Sequence, residues 1–459
     1  MCHSKLSQNL NAWRIIQAPD YVINWIEHGV PIPLSKDIAP FELKNHSFST
    51  KEACFVDCEI ERLQSLNYIE SCDYKPTCVS PLSCVPKKNG KFRLITDLRQ
   101  LNSHCSVPKF RNDDIRQAVN LLKPNDKLIS ADIKDGFFHV KVASEYRDLL
   151  GFKWKNHYYR WTVCPFGLSC SPYYFHKVLR PVITYLRSLG VRVSVFVDDF
   201  LLADVAASIT DSTDLLLHTL SDLGFTVNLE KSHLSPTNTI KYLGYLIFSD
   251  RGKLFVKAQS SRVSKLKAAI RKVLKSSTIR ARTLARICGQ CISVAWVVTP
   301  GKLFLRKSYK LLGTRSSWSD LLAITDDVTD ELTWWLESVD TWNEREICSE
   351  SIQAQIVTDA SHLGWGAVYE GHIASGDWNR RISFQSSNER EMLAILMALK
   401  SFKSLLRGKR VQILTDNISA MAYIRHMGGP SPTLTVLAKA IWGEACKKHV
   451  LPKVNTVTE

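Results

Sequence analysis

The alternation of apolar and polar positions divides the chain into short strands and amphipathic helices. Apolar runs at residues 128–131 and 191–197 predict buried strands, each followed directly by an acidic residue. Between them, residues 172–189 have helical spacing and end before Gly190, and residues 212–223 repeat this pattern before a second glycine. Such interleaving of strands and helices predicts a mixed α/β layer.

Similar patterns continue on both sides of this segment. The dipeptide Asn89-Gly90 between two extended runs predicts a hairpin at residues 85–97, because it favours tight turns. The other predicted helices cover residues 61–70, 260–274, 279–297, 326–337 and 388–405, and the other predicted strands cover residues 225–229, 242–248, 356–358, 365–369 and 411–415.

The order of these elements indicates several regions along the chain. With 459 residues, the chain is long enough for two to four domains. We predict an N-terminal extension at residues 1–50, a mixed α/β region at residues 51–250, a helical connector at residues 251–345 and a second strand-rich region at residues 351–459.

The net charge narrows the class of partner. The 60 basic and 44 acidic residues give +16, and no block of five or more basic residues forms a tail. This excess favours a nucleic-acid partner, with a basic protein lacking such a partner as the alternative. No apolar run reaches the ~18 residues of a membrane-spanning helix, and no signal peptide is visible. We therefore expect an intracellular protein, cytoplasmic or nuclear, whose 13 cysteines are free thiols.

Three aspartates stand where predicted strands end. Asp132 follows the first apolar run, and Asp198 and Asp199 follow the second. Carboxylates at close range raise each other's pKa unless a cation lies between them, and Mg²⁺ prefers such oxygen ligands. A solvated turn is the alternative for an isolated Asp-Asp pair, but the third acid favours a two-metal site for phosphoryl transfer.

Five sequence blocks follow one another in a fixed order over about residues 55–250. They are Arg93-Leu94-Ile95-Thr96-Asp97-Leu98-Arg99-Gln100-Leu101-Asn102, Ala131-Asp132-Ile133-Lys134-Asp135-Gly136-Phe137-Phe138, Pro165-Phe166-Gly167-Leu168-Ser169, Phe196-Val197-Asp198-Asp199 and Tyr242-Leu243-Gly244-Tyr245. In this order the blocks resemble the reverse transcriptases of retrotransposons. DIRS-type and gypsy-type elements are the most similar, with DIRS-type preferred because the connector is short. The resemblance implies an α+β fold, a right-hand polymerase with fingers and palm at residues 51–250 and thumb and connection at residues 251–345.

The resemblance assigns roles to single residues. It implies two Mg²⁺ ions, or Mn²⁺, on the three aspartates. Phe137 matches the position that excludes the 2′-hydroxyl of a nucleotide, with core packing as the alternative, and Lys231 matches a candidate proton donor to pyrophosphate, with a solvated lysine as the alternative. The implied partners are dNTPs and a template–primer of RNA and DNA. The implied nucleotide-binding residues are Lys88, Arg93, Phe137, Phe166, Gly167 and Lys231, and the implied primer grip is Tyr242, Leu243, Gly244 and Tyr245.

Four segments of the C-terminal region carry a second resemblance. They are Thr358-Asp359-Ala360-Ser361, Trp365-Gly366-Ala367, Glu389-Arg390-Glu391-Met392-Leu393-Ala394 and Leu414-Thr415-Asp416-Asn417. These segments resemble ribonuclease H. The resemblance implies a second two-metal site on Asp359, Glu391 and Asp416, acting on the RNA of RNA–DNA hybrids. Glu459, the last residue, falls on the position of the family's fourth acid, so we expect a C-terminally truncated domain that is either active or defective in RNA cleavage.

Two hypotheses remain at this point. The first is an RNA- and DNA-templated DNA polymerase with an attached ribonuclease H domain, and the intact acids Asp132, Asp198 and Asp199 favour it. The second is a non-catalytic, nucleic-acid-binding relic of a retroelement, which the end of the chain at Glu459 favours. The sequence departs from the family at one position, where Phe196 stands in place of the usual tyrosine. This change removes a hydroxyl but no metal ligand, so we expect polymerase chemistry to be retained.

Overall fold

The computed structural model describes residues 5–86, 90, 92–347, 352–383, 385–446 and 451–456. These residues form two compact units. One unit comprises the chain up to Leu243 together with Phe248–Leu254, and the other comprises Gly244–Ile247 and the chain from Phe255 onwards. In the described part of the chain, no helix combines the length and apolar composition that crossing a bilayer requires.

The first unit alternates short strands with helices, as the sequence pattern predicts. Its helices are α1 (Leu10–Ile15), α2 (Asp20–His28), α3 (Thr50–Ser65), α4 (Arg99–Asn102), α5 (Ile115–Asn120), α6 (Ser171–Ser188) and α7 (Ile209–Asp222). Its strands are β1 (Phe41–Glu42), β2 (Ile69–Cys72), β3 (Cys78–Ser80), β4 (Leu82–Pro86), β5 (Phe92–Thr96), β6 (Lys127–Asp132), β7 (Gly151–Trp154), β8 (His157–Trp161), β9 (Val193–Phe196), β10 (Asp199–Asp204), β11 (His233–Thr237) and β12 (Thr239–Tyr242).

A four-stranded antiparallel sheet in the order β11-β6-β10-β9 positions the predicted acids. The register pairs Asp199 of β10 with Asp132 of β6, and Asp198 lies in the turn between β9 and β10. Residues 200–203 of β10 are all buried, as expected for a strand that is covered on both faces. Helices α6 and α7 pack against β9 and β10, respectively.

The rest of the first unit surrounds this sheet. A five-stranded sheet has the order β1-β3-β7-β8-β2, and β4 and β5 form the predicted hairpin, in which Val85 is paired with Arg93. Within its turn, Gly90 has a positive φ of 77°, while residues 87–89 and 91 lie outside the described residues. A 3-10 turn at Gly136–His139 follows β6.

The first fifty residues contribute to the core of the first unit. Trp13 is fully buried, and its indole Nε1 donates a hydrogen bond to the carbonyl oxygen of Leu223 over 3.1 Å. Val22, Ile26 and Ile32 are buried in the same core. The segment that the sequence predicts as an extension is therefore packed against the rest of the unit.

The second unit begins with helices and ends with a sheet. Strands β13 (Tyr245–Asp250) and β14 (Lys253–Ala258) lie where the chain passes from one unit to the other. The helices are α8 (Ser260–Val273), α9 (Ala281–Val294), α10 (Arg306–Gly313), α11 (Asp326–Trp342), α12 (Arg380–Ser383), α13 (Ser387–Ser401), α14 (Ile418–Arg425) and α15 (Pro432–Cys446). The strands are β15 (Thr278–Arg280), β16 (Leu321–Ala323), β17 (Arg345–Ile347), β18 (Ala354–Ala360), β19 (Gly364–Tyr369), β20 (His372–Asp377), β21 (Arg410–Thr415) and β22 (Leu451–Thr456).

The C-terminal sheet has the strand order β20-β19-β18-β21-β22. Strands β18, β19 and β20 are antiparallel neighbours, whereas β18, β21 and β22 run parallel. Helix α13 packs against β18 and β19, and the buried residues Met392, Ile395 and Leu399 of this helix belong to the core of the sheet. The acids at the ends of β18 and β21 therefore lie near the start of α13.

Side chains of the connector join this C-terminal core. Leu303 is fully buried within it, and the Phe304 ring stacks on the Trp334 ring with their centroids 3.8 Å apart. Lys439 of α15 lies 5.2 Å from the centroid of Phe304, and its Nζ is 3.5 Å from a carboxylate oxygen of the buried Glu331. These contacts fix the connector against α15 within the second unit.

Two predicted elements differ from the observed ones. Of the helix predicted at residues 61–70, residues 61–65 are the end of the longer helix α3, which begins with a capping box of Ser49 and Glu52. The prediction is wrong beyond Ser65, because the chain leaves the helix there and residues 69 and 70 begin strand β2. The strand predicted at residues 225–229 is wrong, because this segment makes only an isolated bridge between Val227 and Ile133. The other predicted helices and strands overlap observed elements.

Candidate active sites

The turn between β9 and β10 presents two of the predicted acids. Val197 precedes Asp198 and has a φ of 59°, in the left-handed region that β-branched residues rarely adopt. Such strain persists only where the surrounding structure enforces it, and it is common at functional sites. One enforcing contact is a hydrogen bond from the Ile133 amide to the Asp198 carbonyl oxygen over 3.0 Å. The turn is thus tied to the strand end that carries the third acid.

The backbone of Asp132 is held by the loop that carries Lys231. The Asp132 amide donates to the hydroxyl of Ser232 over 3.0 Å, and the Asn228 amide donates to the Asp132 carbonyl oxygen over 2.7 Å. The Ser232 hydroxyl in turn donates to the Asn228 carbonyl oxygen over 2.7 Å. These bonds together fix the position of the backbone from which the Asp132 side chain projects.

One oxygen of the Asp132 carboxylate is buried without a hydrogen bond. None of the described residues donates one to its Oδ1, and the Lys231 ammonium forms an ion pair with this oxygen, with its Nζ 3.5 Å away. Buried polar atoms are almost always satisfied, so this oxygen is suited to an additional cation. The Asp132 side chain is 13% exposed, whereas that of Lys231 is 68% exposed.

Burial and mutual repulsion perturb the other two acids. Loss of solvent is the main cause that raises the pKa of Asp199 to about 6, and the charges of Asp198 and Asp132 add to it. Burial and the nearby Asp132 also raise the pKa of Asp198. Divalent cations stabilise carboxylates that repel one another in this way, so the chemistry of these three acids suits a metal site. The structure does not, however, bring one oxygen from each of the three within 4.8 Å of the other two.

The predicted nucleotide-binding residues Phe137, Phe166 and Gly167 lie together. The ring of Phe137 is 5.1 Å from that of Phe166, measured between centroids, and 5.6 Å from that of Phe175. Phe166 is 44% exposed, and Phe138, the neighbour of Phe137, is buried. Phe137 and Phe166 thus form an accessible ring pair, distinct from the core phenylalanine Phe138. Gly167 directly follows Phe166 and has a φ of 97°.

The predicted phosphate-binding residues are more dispersed. Arg93 is exposed on β5 of the hairpin, and Lys231 belongs to the loop beside Asp132. Lys88 lies outside the described residues. The structure therefore brings Lys231, but not Arg93, into direct contact with the acids.

The residues predicted as the primer grip have different surroundings. Tyr242 is 3% exposed, and its hydroxyl donates to the carbonyl oxygen of Asp199 over 3.2 Å. Leu243 and Gly244 both have positive φ angles, 48° and 80°. In the second unit, Tyr245 is also buried; its hydroxyl donates to the Ser293 carbonyl oxygen, and the Arg262 guanidinium lies 5.0 Å from its ring centroid.

A second group of acids gathers at the C-terminal sheet. One carboxylate oxygen from each of Asp359, Glu391 and Asp416 lies within 4.8 Å of the other two. Among the described residues, this is the one group of three ligating side chains with that spacing. The two aspartates are exposed and Glu391 is 3% exposed, an arrangement that fits divalent cations.

Local hydrogen bonds show which of the two glutamates near the start of α13 belongs to this acidic group. Glu389 closes the capping box of α13 by accepting a hydrogen bond from the Ser386 amide over 2.9 Å. Glu391 instead accepts from the Ala360 amide over 3.1 Å and from the Thr415 hydroxyl over 3.5 Å. Burial and then the charges of the two aspartates raise the pKa of Glu391 to about 7. Glu459, the predicted fourth acid, lies outside the described residues.

Sequence reasoning missed several residues that support these acids. Ser232, Asn228 and Thr415 make the hydrogen bonds described above, and none was predicted to have a role. Ser232 directly follows Lys231, which is the one local signal for it. The contacts of Asn228 and Thr415 depend on chain segments that are distant in sequence.

Two segments of the chain match known protein families. Residues 85–247 match the family model described as reverse transcriptase (RNA-dependent DNA polymerase). Residues 350–438 match the model described as the RNase H-like domain found in reverse transcriptase. The first segment contains all three acids of the central sheet, and the second contains Asp359, Glu391 and Asp416.

Two of the proteins that this chain is similar to are Pol polyproteins of transposons. The chain is 25% identical to the retrovirus-related Pol polyprotein from transposon opus of Drosophila melanogaster, over 74% of this chain and 35% of that protein. It is also 25% identical to the corresponding polyprotein from transposon 412 of the same organism, over 87% of this chain and 32% of that protein. The chain thus spans about a third of the length of these relatives.

The fold is similar to that of a solved viral protease-reverse transcriptase. The foamy viral protease-reverse transcriptase in complex with dsDNA matches 94% of this chain and 88% of its own, with a TM-score of 0.59 and 17% identity. This likeness confirms the expected fold, a right-hand polymerase followed by an RNase H-like domain. The chain therefore carries a reverse transcriptase domain and an RNase H-like domain found in such enzymes, and it is related to retrotransposon Pol polyproteins.

Proposed function

We propose that the protein is the RNA-directed DNA polymerase of a retrotransposon and adds dNTPs to a primer on an RNA or DNA template. The observation that carries this proposal is the register of β6 and β10, which sets Asp132 opposite Asp199 beside the strained turn at Asp198. A foamy viral protease-reverse transcriptase of similar fold has been solved in complex with an RNA/DNA hybrid, which supports a nucleic-acid partner of this type. The net charge of +16 also favours that partner.

In this proposal Asp132, Asp198 and Asp199 hold Mg²⁺, or Mn²⁺ in its place. The buried Asp132 oxygen without a hydrogen bond and the raised pKa of Asp199 support this assignment. When bound, such ions stabilise the negative charge that develops on the phosphate oxygens during nucleotidyl transfer. The bonds from Ser232 and Asn228 keep the backbone of Asp132 in place for this purpose.

Other residues orient the nucleotide and the primer. Phe137 and Phe166 form the accessible ring pair against which the sugar and base of a dNTP would lie. Arg93 and Lys88 would bind the triphosphate, because phosphate oxygens prefer charge-assisted donors. Lys231 is exposed and carries the proton that pyrophosphate would take as it leaves. Tyr242, Leu243, Gly244 and Tyr245 are proposed to support the primer end.

Primer extension on an RNA template with Mg²⁺ and dNTPs tests this function. We expect extension by the wild-type protein and a loss of at least about a thousandfold in Asp198→Asn, because the neutral side chain no longer stabilises the cations. The matched control is Asp211→Asn, an exposed aspartate of α7 in the same unit. It should extend the primer like the wild-type protein.

The alternative is a non-catalytic relic that binds nucleic acid. Primer–template binding without extension by the wild-type protein would contradict the polymerase proposal and support the relic. Equal extension by Asp198→Asn and the wild-type protein would instead contradict the role of this acid. We further propose that the protein acts in the cytoplasm or the nucleus, without a membrane partner, which fractionation of cells that express it would test.

A second proposed activity is cleavage of the RNA strand in RNA–DNA hybrids. The gathering of Asp359, Glu391 and Asp416 within 4.8 Å supports it. We expect Asp416→Asn to abolish cleavage, while Asp377→Asn, at the exposed end of β20, leaves it unchanged. Glu459→Gln tests the proposed fourth acid, and cleavage equal to that of the wild-type protein would remove Glu459 from the site.

A further inference from the structure

One asparagine spans the loop that carries Phe166 and Gly167. The Asn102 side chain donates a hydrogen bond from Nδ2 to the carbonyl oxygen of Gly167 over 2.8 Å. Its Oδ1 accepts a hydrogen bond from the amide of Ser169, also over 2.8 Å. The two bonds use opposite ends of the same side-chain amide, so the loop is held on both sides of Leu168.

Helix α4, which carries Asn102, is firmly anchored. Leu98 and Leu101 of this segment are 1% and 0% exposed, respectively. On the other side, Gly167 lies close to β5: a Cβ atom added there would be 3.4 Å from the carbonyl oxygen of Thr96. The loop therefore lies between the end of β5 and helix α4, and Asn102 fastens it to this helix.

The fastened loop determines where the Phe166 ring lies. Phe166 directly precedes Gly167, and its ring contacts Phe137 and Phe138 with centroid separations of 5.1 Å each. Phe138 stacks on the buried Trp161 and is itself buried, whereas Phe166 is 44% exposed. A shift of Gly167 would thus change the accessible ring pair and leave the core beneath it unchanged.

We propose that Asn102 is a positioning residue for the incoming nucleotide and acts through the loop of Phe166 and Gly167. This inference rests on the proposed polymerase function for its kinetic consequence. Its structural part is independent, because the hydrogen bonds to Gly167 and Ser169 exist whatever the protein catalyses. Asn102 itself is not assigned any contact with the nucleotide or the acids.

Single-nucleotide incorporation kinetics test the role. We expect Asn102→Ala to raise the KM for dNTP about tenfold and to change kcat much less, since two hydrogen bonds that hold the loop are lost. The KM for the primer–template should not change. The KM for dNTP of Asn102→Asp should lie between those of the wild-type protein and Asn102→Ala, because a carboxylate accepts from the Ser169 amide but cannot donate to Gly167. The control is Ser103→Ala, which removes a neighbouring hydrogen bond from the Ser103 hydroxyl to the Gln100 carbonyl oxygen, within the turn.

Amide hydrogen exchange gives a readout that is independent of activity. The Ser169 amide should exchange faster in Asn102→Ala and remain protected in Asn102→Asp and Ser103→Ala. Unchanged exchange and an unchanged KM for dNTP in Asn102→Ala would overturn the inference, as would a loss of kcat with no change in this KM. If the alanine variant does not fold, the aspartate variant decides the question through kinetics: its KM for dNTP should exceed that of the wild-type protein while the Ser169 amide stays protected, and an unchanged KM would overturn the inference. If the wild-type protein incorporates no dNTP, the proposed function is contradicted. Amide exchange at Ser169 still shows whether the clamp, meaning the two hydrogen bonds of Asn102 to Gly167 and Ser169, holds the loop.

Discussion

The hydroxyl of Tyr242 donates a hydrogen bond to the main-chain carbonyl oxygen of Asp199 over 3.2 Å. Burial raises the pKa of this hydroxyl well above its usual range, so it remains a donor at any physiological pH. Asp199 is the first residue of β10 and follows the strained turn at Val197. Tyr242 thus supports the acids from inside the unit, in addition to any role at the primer.

Removal of this hydroxyl should slow catalysis without unfolding the protein. For Tyr242→Phe we expect a fall in kcat of about fivefold to tenfold and a loss of about 1 kcal/mol in unfolding free energy, because one buried hydrogen bond is lost. Primer extension and urea unfolding measure the two quantities. Tyr21→Phe, an exposed tyrosine of α2, is the control and should change neither. A Tyr242→Phe variant with the kcat of the wild-type protein would show that the bond does not position Asp199.

Truncation of Phe137 should relax the choice of sugar. Its ring contacts those of Phe166 and Phe175, and its proposed role is to exclude the 2′-hydroxyl, so Phe137→Ala would open space for that group. We expect the ratio of kcat/KM for dNTP over rNTP to fall at least tenfold, measured by single-nucleotide incorporation with each substrate. The dNTP reaction of the same variant is the internal control. An unchanged ratio would leave Phe137 with only a packing role.

Neutralisation of Glu391 should stabilise the second unit at high pH in the absence of metal. The pKa of Glu391 is about 7 in the folded protein, above its ordinary value of 4.5. The folded state therefore binds this proton more tightly than the unfolded state, so wild-type stability rises as the pH falls through 7 and is lower above it. We expect Glu391→Gln to be about 2 kcal/mol more stable than the wild-type protein at pH 8 in EDTA, allowing for solvent around the two aspartates. This difference should vanish near pH 4.5, and a less stable variant at pH 8 would contradict the assignment.

The buried His139 should impose the opposite pH dependence on the first unit. Its Nε2 accepts from the Thr226 amide over 3.2 Å, which leaves Nδ1 to donate to the Gly136 carbonyl oxygen, also over 3.2 Å. Burial is the main cause that lowers the pKa of His139 from 6.5 to about 4. The unfolded state therefore takes up a proton first, and stability is lost as the pH falls from about 6.5 to about 4.

The His139 contribution can be isolated by difference. We expect His139 to destabilise the protein by up to about 3 kcal/mol over that pH range, and His139→Gln to remove this contribution. The measured quantity is the difference in unfolding free energy between variant and wild-type protein at pH 7 and pH 5, so that other titrating groups cancel. A difference that does not change with pH would show that His139 has an ordinary pKa.

The sequence is enough to identify the acids of the first site, but not the residues whose hydrogen bonds hold the site in place. Asp132, Asp198 and Asp199 follow apolar runs, and a strand that ends in an acid is a local signal. Neither the bond from Tyr242 to Asp199 nor the clamp of Asn102 on Gly167 can be inferred locally, because each joins segments that only the folded chain brings together.

Helix and strand boundaries show the same limit. The capping box of α3 lies outside the apolar pattern that predicted only the end of this helix, and tertiary packing decides that residues 225–229 bridge to Ile133 instead of forming a strand. The first fifty residues have no strong periodicity, yet Trp13 is buried through its contact with Leu223.

The contacts of Lys439 determine how this protein can be divided for experiments. A fragment that starts after residue 351 would keep all three acids of the C-terminal sheet but would lack Leu303, Phe304 and Glu331. The surface that Leu303 covers would be exposed to water, and Lys439 would lose both its acidic and its aromatic partner. A self-sufficient C-terminal fragment therefore has to begin before Gly301, inside the segment that the sequence assigns to the connector.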